Sequence, residues 1–338
     1  MVAYYVDYAE AHARPDATDF DSLEAEKENL LGAMDVAFAL GDWASVMNMR
    51  AAVEEFLDLR GYWEDAIRSG DRALAAARQA GQDTHIAGFA HNLAIMHQNR
   101  GEVVEARRLY DESLEIKKRL DDQRGIASTL NQLGRLAQAQ GEVVEARRLY
   151  NESLEIAKRA GHQRGISITL HNLGNISHLQ GEVAEARRLY GESLDISKQL
   201  GNQSGIAITL HQLGRLAQDQ GELAEARRLY GESLEIRKRL GDQSGIASTL
   251  HQLGMLAQDR GEVVEAWRLY DESLKVKKRL GDQDGIARTL HQLGRLAELE
   301  GHTAAAAQLF REALAIFEKL KSPDAEIARR SLARVEGK

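Results

Sequence analysis

The sequence has no cysteine and only two prolines, Pro15 and Pro323, one near each end of its 338 residues. Without cysteine there are no disulfides and no thiolate metal sites, and a reducing cytoplasm is the simplest home. Between the prolines, roughly three hundred residues carry no obligate helix breaker, which favours helices over a turn-rich β fold. No stretch approaches the roughly 18 apolar residues that a membrane span needs. The opening Met1-Val2-Ala3-Tyr4-Tyr5-Val6-Asp7 lacks the basic and apolar regions of a signal peptide. No GxxxxGK[ST] loop occurs, so the commonest phosphate-binding device is missing. The net charge of −8 argues against nucleic acid or an anionic membrane as the main partner.

What is present is a repeat. The segments beginning at 81, 121, 161, 201, 241 and 281 are copies of one 40-residue unit, and 241–280 differs from 201–240 at 11 positions. A worn seventh copy at 41–80 keeps Gly41-Asp42, Gly61-Tyr62-Trp63, Ala66 and Ala73-Leu74. Each unit reads as two helices. In the first, Ile246, Leu250, Leu253 and Ala257 recur at helical spacing. In the second, Ala266, Leu269-Tyr270, Ser273-Leu274 and Lys277 mark the buried side. Gly261 and Gly281 suit left-handed C-terminal caps, and Asp242 and Asp282 are placed to cap the helices that follow. Asp121, standing where that glycine belongs, predicts a strained cap. Gly134, Gly174, Gly214, Gly254 and Gly294 fall in mid-helix, each at about 1 kcal/mol against alanine. Their return implies a partner helix too close for a side chain. One such helix pair cannot cover its own apolar faces, so the copies must stack.

These residues carry a resemblance. Leu250, Leu253-Gly254, Ala257, Ala266, Tyr270 and Ser273 resemble the pattern of the tetratricopeptide repeat (TPR). The 40-residue period opening with Gly-Asp-Gln-x-Gly, and Asn172-Leu173-Gly174-Asn175, are similar to the longer repeats of spindle-orientation adaptors. The family's usual proline after the second helix is absent. The resemblance covers about 41–320 and implies an all-α, right-handed α-solenoid (superhelix) of stacked helix-turn-helix repeats. The expected organisation is an N-terminal helical lead-in over 1–40, a degenerate repeat over 41–80, six repeats over 81–320 and a capping helix over 321–338. In the lead-in, a short aromatic helix (Tyr4, Tyr5, Tyr8) is expected to end near Pro15 and a second to run from about Phe20 to Leu40. Leu23-Glu24-Ala25-Glu26, Asn29-Leu30 and Ala33 are similar to the helix that joins the ATPase core to helical repeats in bacterial STAND-class signalling ATPases. That resemblance implies a sensor arm, either as part of a larger protein or working alone.

In the resembled fold the first helices line the concave side. Counting along the helix, the face opposite the leucine stripe carries His91, Asn131, Arg135, His171, Asn175, His211, Arg215, His251, Met255, Arg288, His291 and Arg295. Such a ladder suits hydrogen bonding to a peptide backbone and pairing with its carboxylates, so the expected partner is a protein or peptide of acidic character. The competing reading is a structural array that assembles with copies of itself. No cofactor and no metal are expected, because equivalent histidines in stacked units lie on the order of 10 Å apart while zinc ligands lie about 2 Å from the ion. Only His171 and His178 could form a local pair. Catalysis is not expected either. Asp111 and Glu112 follow Arg107 and Arg108 by one turn, the spacing of solvated ion pairs, and Ser113 and Ser273 occupy small packed slots rather than a nucleophile turn.

Overall fold

A computed structural model describes residues 1–13 and 17–337, with the side chains of 17–19 left out. Pro15, near which the first helix is expected to end, lies outside the described residues, and the helix itself stops at Ala11. Among the described residues there are helices and no strand, and no helix is long and apolar enough to cross a membrane. The chain divides into two compact units, Met1–Thr169 and Leu170–Lys338.

The first unit opens with α1 (Val2–Ala11), α2 (Ala17–Ala25) and α3 (Lys27–Ala39). Hairpins follow: α4 (Trp43–Arg60) with α5 (Trp63–Gln79), α6 (Asp83–Asn99) with α7 (Val103–Arg119), and α8 (Gln123–Ala139) with α9 (Val143–Arg159). Helix α10 (Gln163–Leu179) crosses the unit boundary. The second unit continues with α11 (Val183–Gln199), then pairs α12 (Gln203–Asp219) with α13 (Leu223–Leu240), α14 (Gln243–Asp259) with α15 (Val263–Leu280), and α16 (Gln283–Leu299) with α17 (Thr303–Lys319). Helix α18 (Asp324–Glu336) closes it.

The hairpin closes on glycine and tyrosine. A Cβ built on Gly134 would lie 2.6 Å from the Tyr150 ring, and one on Gly254 would lie 2.7 Å from Tyr270. Each ring lies directly on the backbone of the first helix, which is why alanine is not tolerated freely there. The tyrosines are fully buried, and the hydroxyls of Tyr110, Tyr150, Tyr230 and Tyr270 donate to Gln98, Gln138, Gln218 and Gln258 at 2.9–3.2 Å. The small serine slots also have a bonding reason: Ser153 Oγ donates to Ala127 O and Ser273 Oγ to Ala247 O, both at 2.7 Å. The caps form as the residues predict. Asp242 and Asp282 accept from the N–H groups of Gly245 and Gly285 at 2.8 and 2.9 Å. Gly261 and Gly281 turn left-handed, and Asp121 does so at φ 54°.

The worn hairpin inverts this packing. Gly70 stands on α5 where other copies carry tyrosine, and the space at its Cα is taken by the Leu93 side chain, 2.8 Å from where a Gly70 Cβ would sit, with Arg50 Nε at 3.7 Å. Arg50 is 1% exposed and meets Glu54 at 3.3 Å, and its Nε and Nη1 have no partner. The lead-in departs from expectation too. The second helix is broken at Glu26, whose carboxylate accepts from Tyr5 Oη at 3.2 Å and Asn29 Nδ2 at 2.7 Å. Tyr8 Oη donates to the Ser22 carbonyl at 2.9 Å. The aromatic helix thus pins the break through hydroxyls whose spatial reach the linear sequence does not show.

Candidate functional site

Within each unit the first helices of neighbouring hairpins touch, α6 with α8 and then α12 with α14 and α14 with α16, while second helices meet mainly the first helices beside them. The first helices therefore line the inner face of each unit. The face divides into a polar seam and an exposed row.

The seam holds the histidines. His211 is buried, and His91, His171, His251 and His291 are half-buried. Each imidazole packs on the aromatic ring of its own hairpin, with centroids 5.2–5.6 Å apart. The other side is held by the next hairpin: Nδ1 of His91, His171, His211 and His251 lies 3.1–3.2 Å from Oγ1 of Thr129, Thr209, Thr249 and Thr289. Buried Asn131 takes the same part, donating from Nδ2 to Thr169 at 2.9 Å. The last histidine, His291, finds no further repeat and meets Ser331 of α18 through Nε2 at 3.1 Å. Burial pushes the pKa of His91, His211 and His251 down to about 3 and that of His171 to about 4, with nearby Lys117, Arg237 and Lys277 adding to the first three. At neutral pH they carry no charge. Within the predicted polar ladder these histidines are uncharged ties between hairpins.

Asn175 is also committed inward. His178 replaces the glutamine that receives a tyrosine hydroxyl in other copies, so Tyr190 Oη donates to Asn175 Oδ1 at 2.7 Å. His178 itself reaches Asp219, 2.7 Å away, and does not converge with His171. Among the described residues no three His, Asp or Glu side chains gather to hold a metal ion.

The exposed row is made of arginine. Arg135, Arg215 and Arg295 project outward from the seam, and each donates only to the glutamine one turn earlier, at 3.0–3.4 Å. Among the described residues none of the three has a carboxylate partner. Arg288 is different: Asp284 holds it at 2.8 Å and Asp324 at 3.2 Å. In the second unit His251, Met255, Arg288, His291 and Arg295 line one open pocket of about 630 Å³, walled on the far side by Asp324 and Ile327 of α18. Five of the predicted residues thus meet in one place.

Sequence reasoning missed the threonines Thr129, Thr169, Thr209, Thr249 and Thr289, all buried. A signal existed, because threonine recurs inside an otherwise apolar stripe. It also missed Lys117, and it placed Lys277 on the buried side without a partner; their ammonium groups donate to Thr129 and Thr289 at 3.0 Å. Burial lowers the pKa of both, that of Lys117 to about 8.

Paired helices of fixed length, small residues at the hairpin contact and polar inner faces define a helical-repeat protein. The profile of the tetratricopeptide repeat matches residues 85–159, 165–239 and 245–319, roughly two thirds of the chain. The chain belongs to the tetratricopeptide repeat family. No curated protein matches it by sequence. Among solved structures it is similar to the apo form of the quorum sensor NprR from B. thuringiensis, at 17% identity and a TM-score of 0.70 over 94% of this chain and 87% of that one. A Rap protein complexed with competence and sporulation factor gives 14% identity and 0.62 over 99% and 97%. A STAND-class signal transduction ATPase with a tetratricopeptide repeat sensor, from Pyrococcus horikoshii, gives 16% and 0.67 over 98% of this chain and 49% of that one. At these identities the likeness concerns the fold.

Proposed function

We propose that this protein is a non-enzymatic interaction scaffold that holds an acidic peptide or protein segment on its inner face, and that it serves as the ligand-sensing arm of a signalling system. One contrast carries the reading. Arginines on the second helices are matched by glutamates, whereas Arg135, Arg215 and Arg295 on the first helices are left without a carboxylate partner. In a chain of net charge −8 there is no shortage of acids, so unmatched guanidinium groups on an inner face favour an anion brought by a partner. The sensing part of the proposal draws on the neighbours, two of which are named as a quorum sensor and as a protein with a repeat sensor.

The test is a titration of an acetylated, amidated peptide of four Glu-Pro-Ser triplets. Changing Arg215→Glu together with Arg295→Glu is expected to weaken binding about 100-fold, or about 2.7 kcal/mol, with the helical circular dichroism unchanged. Unchanged affinity rejects the assigned face. Light scattering at several protein concentrations addresses the structural-array alternative, which requires mass to grow with concentration.

A further inference from the structure

The hydrogen-bond network fixes which ring nitrogen of the seam histidines bears the proton. Thr289 Oγ1 lies 2.8 Å from the Gly285 carbonyl and must donate its single hydrogen there. It then receives a hydrogen from Lys277 at 3.0 Å, and toward His251 Nδ1 it can only accept. His251 Nδ1 is therefore the N–H, and in a neutral ring Nε2 is the bare lone pair. The same logic applies to His211, because Thr249 donates to the Gly245 carbonyl at 2.9 Å and faces His211 Nδ1 at 3.2 Å. The histidine row thus offers acceptors, while the arginine row beside it offers donors and positive charge.

We infer that the ligand presents backbone N–H groups to Nε2 of His211 and His251 while its acidic side chains reach Arg215 and Arg295. This inference rests on the acidic-segment reading above and adds the ligand's backbone form to it. Neighbouring first helices in contact lie about 8–10 Å apart. A polyproline II strand repeats its orientation every three residues, or about 9.3 Å, so every third N–H of such a strand faces successive repeats. A β-strand turns its groups over at each residue, and three residues would face the second N–H away. The ligand form that fits is a polyproline-type segment with N–H groups on a three-residue beat. Its acidic residues should be about six apart, matching the two-repeat separation of Arg215 and Arg295. Proline fits between these positions but not at them.

The experiment uses the full chain and two probes: the Glu-Pro-Ser peptide described above, and the same peptide N-methylated at every glutamate and serine. Long-range ¹H–¹⁵N spectra of the free protein at pH 7 should show His211 and His251 as neutral rings protonated at Nδ1, with the Nε2 signals moving when the first peptide is added. N-methylation is expected to weaken binding at least tenfold, as is His211→Phe with His251→Phe. Retained affinity for the methylated peptide, or rings protonated at Nε2, overturns the backbone inference even if the arginine variants lose binding. Binding that ignores both rows overturns it together with the acidic-segment reading.

Discussion

The two faces of each unit use the same residue, arginine, in opposite ways. On the outer face it is spent locally. Arg148 meets Glu145 at 2.8 Å and Glu152 at 3.1 Å, and Arg268 meets Glu265 and Glu272 at 2.7 and 3.2 Å. Arg188 and Arg228 repeat the arrangement, and Arg187 and Arg227 reach Glu222 and Glu262 in the next hairpin. On the inner face Arg215 and Arg295 donate only to the neutral glutamines Gln212 and Gln292, and Glu298, the acid beside Arg295, is bonded to Arg334. The outer face is an ion-paired coat whose charges cancel nearby. The inner face keeps positive charge on exposed arginines and sets neutral, mostly half-buried imidazoles beside them. One repeat therefore pairs its arginines with acids on one side and leaves Arg215 and Arg295 without a carboxylate partner on the other.

Acid should break this contrast most severely. Burial holds the pKa of the seam histidines down to about 3–4 in the fold, against the usual 6.5 when unfolded, so the unfolded chain takes up the extra proton. Their contribution is complete above pH 6.5 and is lost as pH falls toward 3. By pH 5 each should cost about 1–2 kcal/mol, so the melting temperature should drop steeply between pH 7 and pH 5. The outer pairs should not respond, because Arg228 and Arg268 hold the Glu225 and Glu265 carboxyls below their usual range. A flat profile over that interval would show that the seam histidines are not held neutral. Next in size is the roughly 100-fold loss of peptide binding from reversing Arg215 and Arg295.

Glycine sharpens the comparison further. Gly254→Ala should destabilise by about 1 kcal/mol, as overpacking against Tyr270 exceeds the gain in helix propensity. Gly231 also lies in mid-helix, on α13, but a Cβ there meets nothing within 4 Å. Gly231→Ala should therefore stabilise by about 1 kcal/mol. Urea melts of the two variants moving in the same direction would contradict the packing argument. The smallest effect belongs to the outer coat: Arg148→Ala and Arg228→Ala should each change stability by less than about 0.5 kcal/mol and leave peptide affinity unchanged.

The repeat, its helix pairs and the caps at Asp242 and Asp282 were legible because they depend on spacing and on local backbone chemistry. The mid-helix glycines were legible for the same reason: a residue that costs helix stability and returns in every late copy implies a close neighbour. The candidate site was legible only in part. Helical counting placed Arg215, Met255 and Arg295 on the inner face, where they lie, but it put the histidines there with the same apparent freedom. It could not show how far the next hairpin leans over them, nor that its threonine would take their Nδ1. Asn175 was misleading for a related reason, since one change at His178 redirected the Tyr190 hydroxyl to it.

The order of residues alone determined that this chain stacks paired helices, because periodicity and the need to cover each pair's apolar stripe act along the chain. The three-dimensional arrangement decided which polar groups are consumed and which are left over. A hydrogen bond or an ion pair depends on distance between hairpins about forty residues apart, and on whether a competing acceptor has already taken the proton.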